Sequence, residues 1–483
     1  MLFHSIEFFV FLPIVFLLYW QACRTSRRAQ NALIVVASYV FYAWWDYRFT
    51  LLIAAMTAMG YAAGLLLSRY DHRPTARRWI CGANIVVAVA TLIYFKYCNF
   101  FGESLAALLR LFGLQASWTT LEILLPVGIS FYTFQALSYT IDVYRRRIEP
   151  TRDIVAFFAF VAFFPQLMAG PIERAANLLP QFGSRRTFRY PDAVDGMRRM
   201  LWGLFKKVVV ADNCGIIVDS IWAAHTTASG FTLFMGATLF SLQIYADFSG
   251  YSDIAIGTAR LFGIHLKANF RFPLFSRDIA EFWRRWHISL NTWFRDYIYI
   301  PLGGSRGSRW CTARNVAVVF LVSGLWHGAE STFLVWGAYH ALLFMPLVLT
   351  GRNRRYLGPI AEGRRLPSWS ETGHIAVTFL LVTAGLVFFR ADNLPQAVAY
   401  LGGICSPSIL DIEITRYLKA LPFAFLMLVV EWLQRNKEHA LQLPANGKGP
   451  MNVVAIRWSV YVVVALMTLA FAVEEAEYIY FQF

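Results

Sequence analysis

The apolar stretch VAVVFLVSGLWHG, residues 316–328, contains one titratable side chain, the imidazole of His327. The stretch predicts a membrane-embedded helix, and a titratable group at that depth is costly and is a functional candidate by default. Gly324 and Gly328 bracket the histidine and predict a helix break or a close approach of two backbones. A histidine in a wet cavity inside a membrane is suited to general-base catalysis.

The composition predicts the same class of protein. The 483 residues are 58% hydrophobic, 17% aromatic and only 15% charged. A bilayer core of about 30 Å needs about 20 apolar residues, so we expect an all-α polytopic membrane protein of about 11–13 spans plus re-entrant and amphipathic helices. A β-barrel would show short alternating segments instead. The predicted spans are 6–23, 31–46, 50–68, 79–97, 121–143, 153–170, 201–222, 231–248, 315–327, 331–350, 373–390, 416–434 and 452–473.

The net charge of +15 follows from the loops beside these apolar segments. Lys and Arg concentrate in the loops 24–28, 69–78, 145–152, 185–189, 352–365 and 435–437. The positive-inside rule places such loops on the cytoplasmic side, and both termini are then expected on the periplasmic side. Neither a basic arm nor zinc-ligand spacing is present, so nucleic acid is not an expected partner.

The chain is expected to form one membrane domain, 1–483, with its motifs between about 121 and 350. Its six cysteines show no CxxC spacing, which predicts neither a metal site nor a disulfide framework. The apolar run 8–20 is followed by arginines and lacks a small-residue cleavage site, which favours a first span over a removed signal peptide. No internal repeat supports an inverted-repeat transporter.

Residues 243–312 are much more polar than the segments around them. Arg284, Arg285 and Arg295 alternate with tryptophans such as Trp286, and arginine beside aromatic rings can hold phosphate and stack on a purine. This pattern fits a nucleotide-bearing acyl donor such as an acyl-coenzyme A. It fits equally well a basic interfacial helix that contacts anionic membrane lipids, and the residues alone do not choose between the two.

Other polar residues in this region are weaker candidates. His287 is either a second functional histidine or a hydrogen-bonded interfacial one, and His340 is expected to pack within a Trp/Tyr-rich span. Asp247 and Asp253 suggest a proton or cation relay. Alternatively, Asp253 pairs with an arginine such as Arg260. The sequence has no GxSxG, HExxH or P-loop pattern, so it gives no sign of serine, zinc or P-loop chemistry.

Several segments together resemble the membrane-bound O-acyltransferase superfamily. SGLWHGA at 323–329 is similar to its histidine motif, and RWHISL at 285–290 with DYIYIPLGG at 296–304 resembles its second motif. Four further segments resemble the bacterial branch typified by the alginate O-acetyltransferase membrane subunit. They are PVGISFYTFQ at 126–135, FPQLMAGPI at 164–172, YADFSGYSD at 245–253 and YIYFQF at 478–483.

The resemblance implies a helical shell around a central tunnel, with His327 as the catalytic histidine at its middle and His287 as the histidine of the second motif. It also implies acetyl transfer from cytoplasmic acetyl-CoA to an exported polysaccharide, with a periplasmic SGNH hydrolase-like partner. Candidate contacts of the donor are Arg284, Arg285, Arg295, Trp286 and Asn291. No metal is expected.

Two other classes of function stay open on sequence grounds. One is a transporter or flippase of the same cavity, and the other is a non-catalytic scaffold of a polysaccharide-export complex, whose aromatic tail 478–483 would bind a partner. The polymer is also open, because alginate, cellulose, peptidoglycan and teichoic-acid-like polymers each fit this kind of enzyme.

Overall fold

The computed structural model describes residues 1–114, 117–121, 123–168, 170–444, 449–473 and 479. Within these ranges the regular structure is helical and no strand occurs. The chain forms two compact units, one of Met1–Ala193 with Ala259–Leu266 and one of Val194–Thr258 with Lys267–Phe483. The expectation of a single membrane domain stays a prediction.

The first unit is built from short and long helices around an aromatic core. Its helices are α1 (Ile6–Leu17), α2 (Arg27–Ala43), α3 (Arg48–Arg69), α4 (Pro74–Leu92), α5 (Cys98–Leu111), α6 (Ile129–Tyr144), α7 (Ile154–Ala162), α8 (Phe164–Leu167) and α9 (Ala175–Phe182). π-helical turns continue α1 at Leu18–Ala22 and α4 at Ile93–Tyr97. Tyr139 of α6 packs on Phe157 of α7 with ring centroids 4.5 Å apart, and Gly64 of α3 leaves room for the Tyr139 ring.

The second unit contains the sequence motifs around His287 and His327. Its helices are α10 (Tyr190–Leu204, which begins in the first unit), α11 (Asp212–Ala223), α12 (Gly230–Leu261), α13 (Ile279–Arg285), α14 (Ile288–Phe294), α15 (Arg309–His327), α16 (Ser331–Leu349), α17 (Trp369–Arg390), α18 (Leu394–Ile404), α19 (Leu421–Leu433) and α20 (Val454–Ala470). π-helical turns lie at Phe205–Ala211 and Arg295–Tyr299, and 3-10 turns at Pro273–Phe275, Pro407–Leu410, Thr415–Tyr417 and Pro450–Asn452.

Five described helices are long and apolar enough to cross a membrane. They are Arg48–Arg69, Pro74–Leu111, Gly230–Leu261, Ser331–Leu349 and Trp369–Arg390. Shorter apolar helices cover Ile6–Ala22, Leu421–Leu433 and Val454–Ala470. The expectation of an all-α polytopic membrane protein is therefore confirmed, while the number of 11–13 spans stays a prediction.

Several expected span boundaries are wrong. The helix expected from 121 begins at Ile129, after Gly128 with a φ of 76°. The segment 153–170 is divided at Phe163, because Pro165 lacks an N–H and its ring would clash with the carbonyl of Val161 in a continuous helix. The helix expected to end at 248 continues to Leu261, since its polar residues are buried among other charged groups. Of the tail 478–483, only Ile479 lies among the described residues.

Candidate active site

The position of His327 is set by a close crossing of α15 and α16. A methyl group added to Gly337 would lie 2.5 Å from the carbonyl oxygen of Phe320 and 3.4 Å from the Cα of Gly324. A methyl group on Gly324 would collide with the carbonyl oxygen of Phe333. Small residues let membrane helices approach backbone to backbone in this way. The expected close approach of two backbones at Gly324 is confirmed. Gly328 is the C-cap residue that ends α15.

His327 occupies the last position of α15 and is only 5% exposed. Its ring centroid lies 4.8 Å from that of Trp326, 5.1 Å from that of Trp336 on α16 and 5.3 Å from that of Phe389 on α17. Three aromatic side chains from three helices therefore surround the imidazole. Such a wall restricts the access of water and fixes the orientation of the ring.

His287 joins the same surroundings from the turn between α13 and α14. Its backbone is left-handed, with a φ of 43°, and its side chain is 1% exposed. Its ring lies 4.7 Å from Phe248 and 5.9 Å from Trp326, so the Trp326 indole contacts both predicted histidines. His287 is outside the five candidate spans, and burial lowers its pKa to about 3, which keeps the ring neutral near pH 7.

A third histidine, His340, lies on α16 and contacts the aromatic cluster around His327 through Trp336. His340 is 1% exposed, and its ring centroid lies 5.0 Å from Trp336 and 5.0 Å from Trp283. Gly385 of α17 makes room for it, since a methyl group there would lie 2.9 Å from the His340 Nε2. His340 packs among aromatic rings as expected. The i, i+4 spacing of Trp336 and His340 was the signal that both face one side of α16.

The three arginines proposed from the sequence have different surroundings. Arg284 donates hydrogen bonds of 2.8 Å to the carbonyl oxygens of Asn353 and Tyr356. Arg285 forms an ion pair of 2.9 Å with the buried Glu281. The Arg295 side chain is 56% exposed and donates one hydrogen bond of 2.8 Å to Asp296. Arg284 and Arg295 are exposed and Arg285 is half-buried, but Arg284 is held by two backbone carbonyls, whereas Arg295 pairs with its neighbour in the chain.

Trp286 and Asn291 shape the connection between α13 and α14. The Trp286 indole is buried and stacks on Phe282 at 5.4 Å and 20°. The Asn291 side chain donates hydrogen bonds of 2.7 Å to the carbonyl of Trp283 and 2.6 Å to that of Trp286. Both side chains thereby hold the turn that carries His287.

A buried charge network lies along α12. Asp253 contacts Arg199 at 2.7 Å and Lys206 at 2.6 Å, and Lys206 lies 3.8 Å from Glu431. The Tyr245 hydroxyl donates a 2.7 Å hydrogen bond to Glu431. These groups line a cavity of about 20 Å³, enough for about one water molecule. The arginine that pairs with Asp253 is thus Arg199, whose distance of 54 positions along the chain hid it from sequence reasoning.

Asp247 belongs to a neighbouring set of charges. It contacts Lys207 at 2.9 Å and accepts a 2.9 Å hydrogen bond from the backbone N–H of Ile479, while Lys207 also contacts Asp212 at 2.8 Å. Asp247 and Asp253 therefore contact different lysines. Over the residues that the structure describes, no group of three or more His, Cys, Asp or Glu side chains is arranged to hold a metal ion.

Comparison with known proteins identifies the family. Residues 39–369 match the membrane-bound O-acyltransferase family. The chain is 43% identical over 396 residues to a probable alginate O-acetylase of Pseudomonas aeruginosa, and the aligned region covers 81% of this chain and 72% of the relative. It is 42% identical over 405 residues to a probable alginate O-acetylase of Pseudomonas putida, and the aligned region covers 83% of this chain and 79% of that relative. A peptidoglycan O-acetyltransferase of Helicobacter pylori is 34% identical over 427 residues, with 82% and 78% covered.

The match runs from the end of α2 to the first residue of α17 and includes the crossing of α15 and α16 and both predicted histidines. The matched region covers more than half of the chain, and these three relatives are more than 30% identical over most of both chains. The protein belongs to the membrane-bound O-acyltransferase family, and it is a membrane enzyme that transfers an acyl group to oxygen.

Proposed function

We propose that the protein transfers an acetyl group from cytoplasmic acetyl-CoA to a hydroxyl group of an exported polysaccharide, with alginate as the first candidate. The observation that carries this proposal is the buried His327, held by the α15–α16 crossing in a chain 43% identical to a probable alginate O-acetylase. Donor and acceptor would meet at His327 in a tunnel through the helical shell.

His327 would act as the general base. Its imidazole removes the proton of the acceptor hydroxyl, and the oxygen attacks the thioester carbonyl of the donor. The C–S bond breaks, and the proton passes from the imidazolium to the departing thiolate, so that an O-acetyl ester and free coenzyme A result. General-base assistance contributes typically about 10²–10⁴-fold in rate. The remaining acceleration would come from holding the two substrates in line. An acetyl-histidine intermediate is the alternative route.

The donor would enter beside the second motif. Arg295 is the proposed direct contact of the donor phosphates, because its guanidinium is exposed. Arg284 and Arg285 would add positive charge at the same mouth while they hold the loop at 353–356 and Glu281. Trp286 and Asn291 would maintain the shape of the mouth from within.

His287 would orient the reacting groups in its neutral form. Its ring contacts Trp326, the residue that also contacts His327, so a change at His287 can reach the base through one indole. Burial lowers the pKa of His287 to about 3, which is too low for a base that works near pH 7.

The setting would be the bacterial inner membrane, with both termini on the periplasmic side. This orientation places the basic loops, which include 352–365, in the cytoplasm. A periplasmic SGNH hydrolase-like acetyltransferase and the polysaccharide synthesis and export complex would be the partners. The support for these partners is the resemblance to the alginate O-acetylases.

The direct test uses the purified full chain in nanodiscs with radiolabelled acetyl-CoA and oligomannuronate. We expect label on the oligosaccharide with the wild-type protein, and none with His327→Ala. Donor turnover that His327→Ala leaves unchanged would contradict the assignment of the base. Should label reach the oligosaccharide only after addition of an SGNH hydrolase-like protein, the partner would be an obligatory acceptor.

A second acceptor is favoured by one comparison. The peptidoglycan O-acetyltransferase relative is 34% identical over 427 residues, so a peptidoglycan fragment belongs in the same assay. Label on that fragment and not on oligomannuronate would assign the protein to the cell wall.

A further inference from the structure

An open, apolar cleft lies between α16 and α17, and none of His287, His327 and His340 lines it. Its volume is about 450 Å³, and its hydrophobic wall is formed by Leu343, Pro346, Leu347, Val377 and Leu381. Both helices are candidate membrane spans. A cleft between two spans that opens sideways meets hydrocarbon, so an apolar chain is the occupant that its surroundings supply.

The cleft has the length of one leaflet. Its wall on α17 runs from Ser370 to Leu381, eleven helical steps, which corresponds to about 16 Å at the helical rise of 1.5 Å per residue. This is about half of the 30 Å hydrocarbon core of a bilayer. At the start of α17, Trp369 is 93% exposed, as is typical of a residue at the membrane–water interface.

The end of the cleft near Ser370 is polar. Arg277 and Asp278 both line the cleft, and the Asp278 carboxylate accepts a 2.6 Å hydrogen bond from the backbone N–H of Glu281. His374 also lines the cleft, and the His374 ring lies 6.1 Å from that of Tyr356. The guanidinium groups of Arg277 and Arg355 lie 4.6 Å and 5.2 Å from the same Tyr356 ring. Arg277 is paired with Glu281 and Glu371.

Two exposed guanidinium groups, those of Arg354 and Arg355, belong to the loop that carries Tyr356. Among the residues that the structure describes, no carboxylate forms an ion pair with Arg354 or Arg355. Burial lowers the pKa of the nearby Arg284. The carboxylates of Asp278 and Glu281 raise this pKa, and the charges of Arg285 and Arg354 lower it. The positive charge at the polar end of the cleft is therefore available to an anion.

We propose that this cleft binds one anionic phospholipid of the leaflet on the side of the basic loops. An acyl chain would lie along Leu343, Leu347, Val377 and Leu381, and the headgroup phosphate would contact Arg354, Arg355 and His374. Basic pockets between membrane helices favour anionic headgroups. The proposal is independent of the acyl-transfer chemistry.

Gly373 offers a way to close the cleft. It lines the wall on α17, and a Cβ added there meets no atom within 4 Å. The backbone of Gly373 therefore accepts a side chain, and we expect the ring of Gly373→Phe to occupy the cleft. Gly82 of α4 also faces open space within 4 Å, so Gly82→Phe is the matched control.

The experiment uses the full chain in phosphatidylethanolamine vesicles that contain a little phosphatidylglycerol with a photoreactive acyl chain. After illumination, mass spectrometry locates the label. We expect label at 343–347 and 377–381 that excess phosphatidylglycerol removes and excess phosphatidylcholine leaves. Gly373→Phe should lower the label at these positions to background, and Gly82→Phe should leave it unchanged.

Equal competition by phosphatidylcholine would overturn the proposal, since it would mean ordinary boundary lipid. So would label that persists in Gly373→Phe. If Gly373→Phe does not fold, the double variant Arg354→Gln with Arg355→Gln, at two exposed positions, tests the headgroup site instead. It should abolish the preference for phosphatidylglycerol, and a preserved preference would refute the headgroup site.

Discussion

Gly324 of α15 and Gly337 of α16 face each other so closely that a methyl group on either residue would lie 3.4 Å from the Cα of the other. The same methyl groups would also meet the carbonyl oxygens of Phe333 and Phe320. The two helices thus meet backbone to backbone, one turn before His327. Through this contact the position of the proposed base depends on two side chains that are single hydrogens.

Alanine at Gly324 should therefore destabilise the protein, because two backbones must separate to admit a methyl group. Overpacking of this kind costs about 1–3 kcal/mol. We expect a lower thermal midpoint in detergent and a larger loss of acyl transfer than the lost folded fraction explains. Gly82→Ala is the control, since it meets open space and should be neutral or stabilising. Equal midpoints for the two variants would contradict the close crossing.

Replacement of His327 should remove catalysis and leave the fold intact. His327→Ala deletes the proposed base, so acyl transfer should fall by about 10²–10⁴-fold. Membrane yield and thermal midpoint are measured beside turnover of radiolabelled acetyl-CoA. His72→Ala, in the exposed turn after α3, is the matched control and should retain full turnover. A variant that loses yield as much as turnover would instead indicate a structural role for His327.

Two substitutions distinguish the backbone conformation of His287 from the function of its imidazole. Its φ of 43° is tolerated better by asparagine than by alanine. We expect His287→Asn to accumulate in the membrane better than His287→Ala, with acyl transfer reduced in both. Transfer retained in His287→Asn would show that the backbone conformation, and not the imidazole, is what the site requires.

His287 also predicts how stability depends on pH. Burial lowers its pKa to about 3, below the value near 6.5 of an unfolded histidine, so the unfolded chain binds the extra proton between these values. The contribution of His287 to the free energy of unfolding is therefore present above about pH 6.5 and is lost as the pH falls towards 3. Denaturation of wild type and His287→Asn across this range should show a smaller acid loss in the variant. Parallel curves would mean that His287 does not supply this dependence.

Loss of one cation should unbalance the buried charge network. Lys206→Met leaves Asp253 and Glu431 buried with less compensation, and breaking a buried pair costs about 3–5 kcal/mol. Arg48→Met, which breaks the exposed pair with Asp46, should change stability by less than about 1 kcal/mol. Chemical denaturation of the two variants measures the difference. Similar values would show that the network is more hydrated than its burial indicates.

Kinetics with acetyl-CoA can test Arg295 as a donor contact. Arg295→Gln should raise the KM for acetyl-CoA and leave the thermal midpoint unchanged, because the side chain is exposed. Arg284→Gln should instead lower the midpoint, since it removes two hydrogen bonds to the loop at 353–356. Arg69→Gln, on the exposed end of α3, is the control for loss of one positive charge. An unchanged KM in Arg295→Gln would remove this residue from the donor site.

The sequence by itself determined the class of protein, and it predicted His327 as the central residue. Long apolar segments can only be helices in a bilayer, because every backbone polar group must be satisfied within the segment. An isolated imidazole within such a segment identified His327, and the glycines beside it indicated close packing. These inferences depend on local composition and spacing, which a single chain displays directly.

Only the tertiary structure decided what lies next to these residues. It brought Trp326 into contact with both His287 and His327, and it packed His340 against Trp336. It also paired Asp253 with Arg199 and Lys206. It also turned Arg284 and Arg285 towards protein partners and left Arg295 exposed. Partners of this kind are separated by many residues along the chain, and their meeting depends on how the helices pack, which no local pattern records.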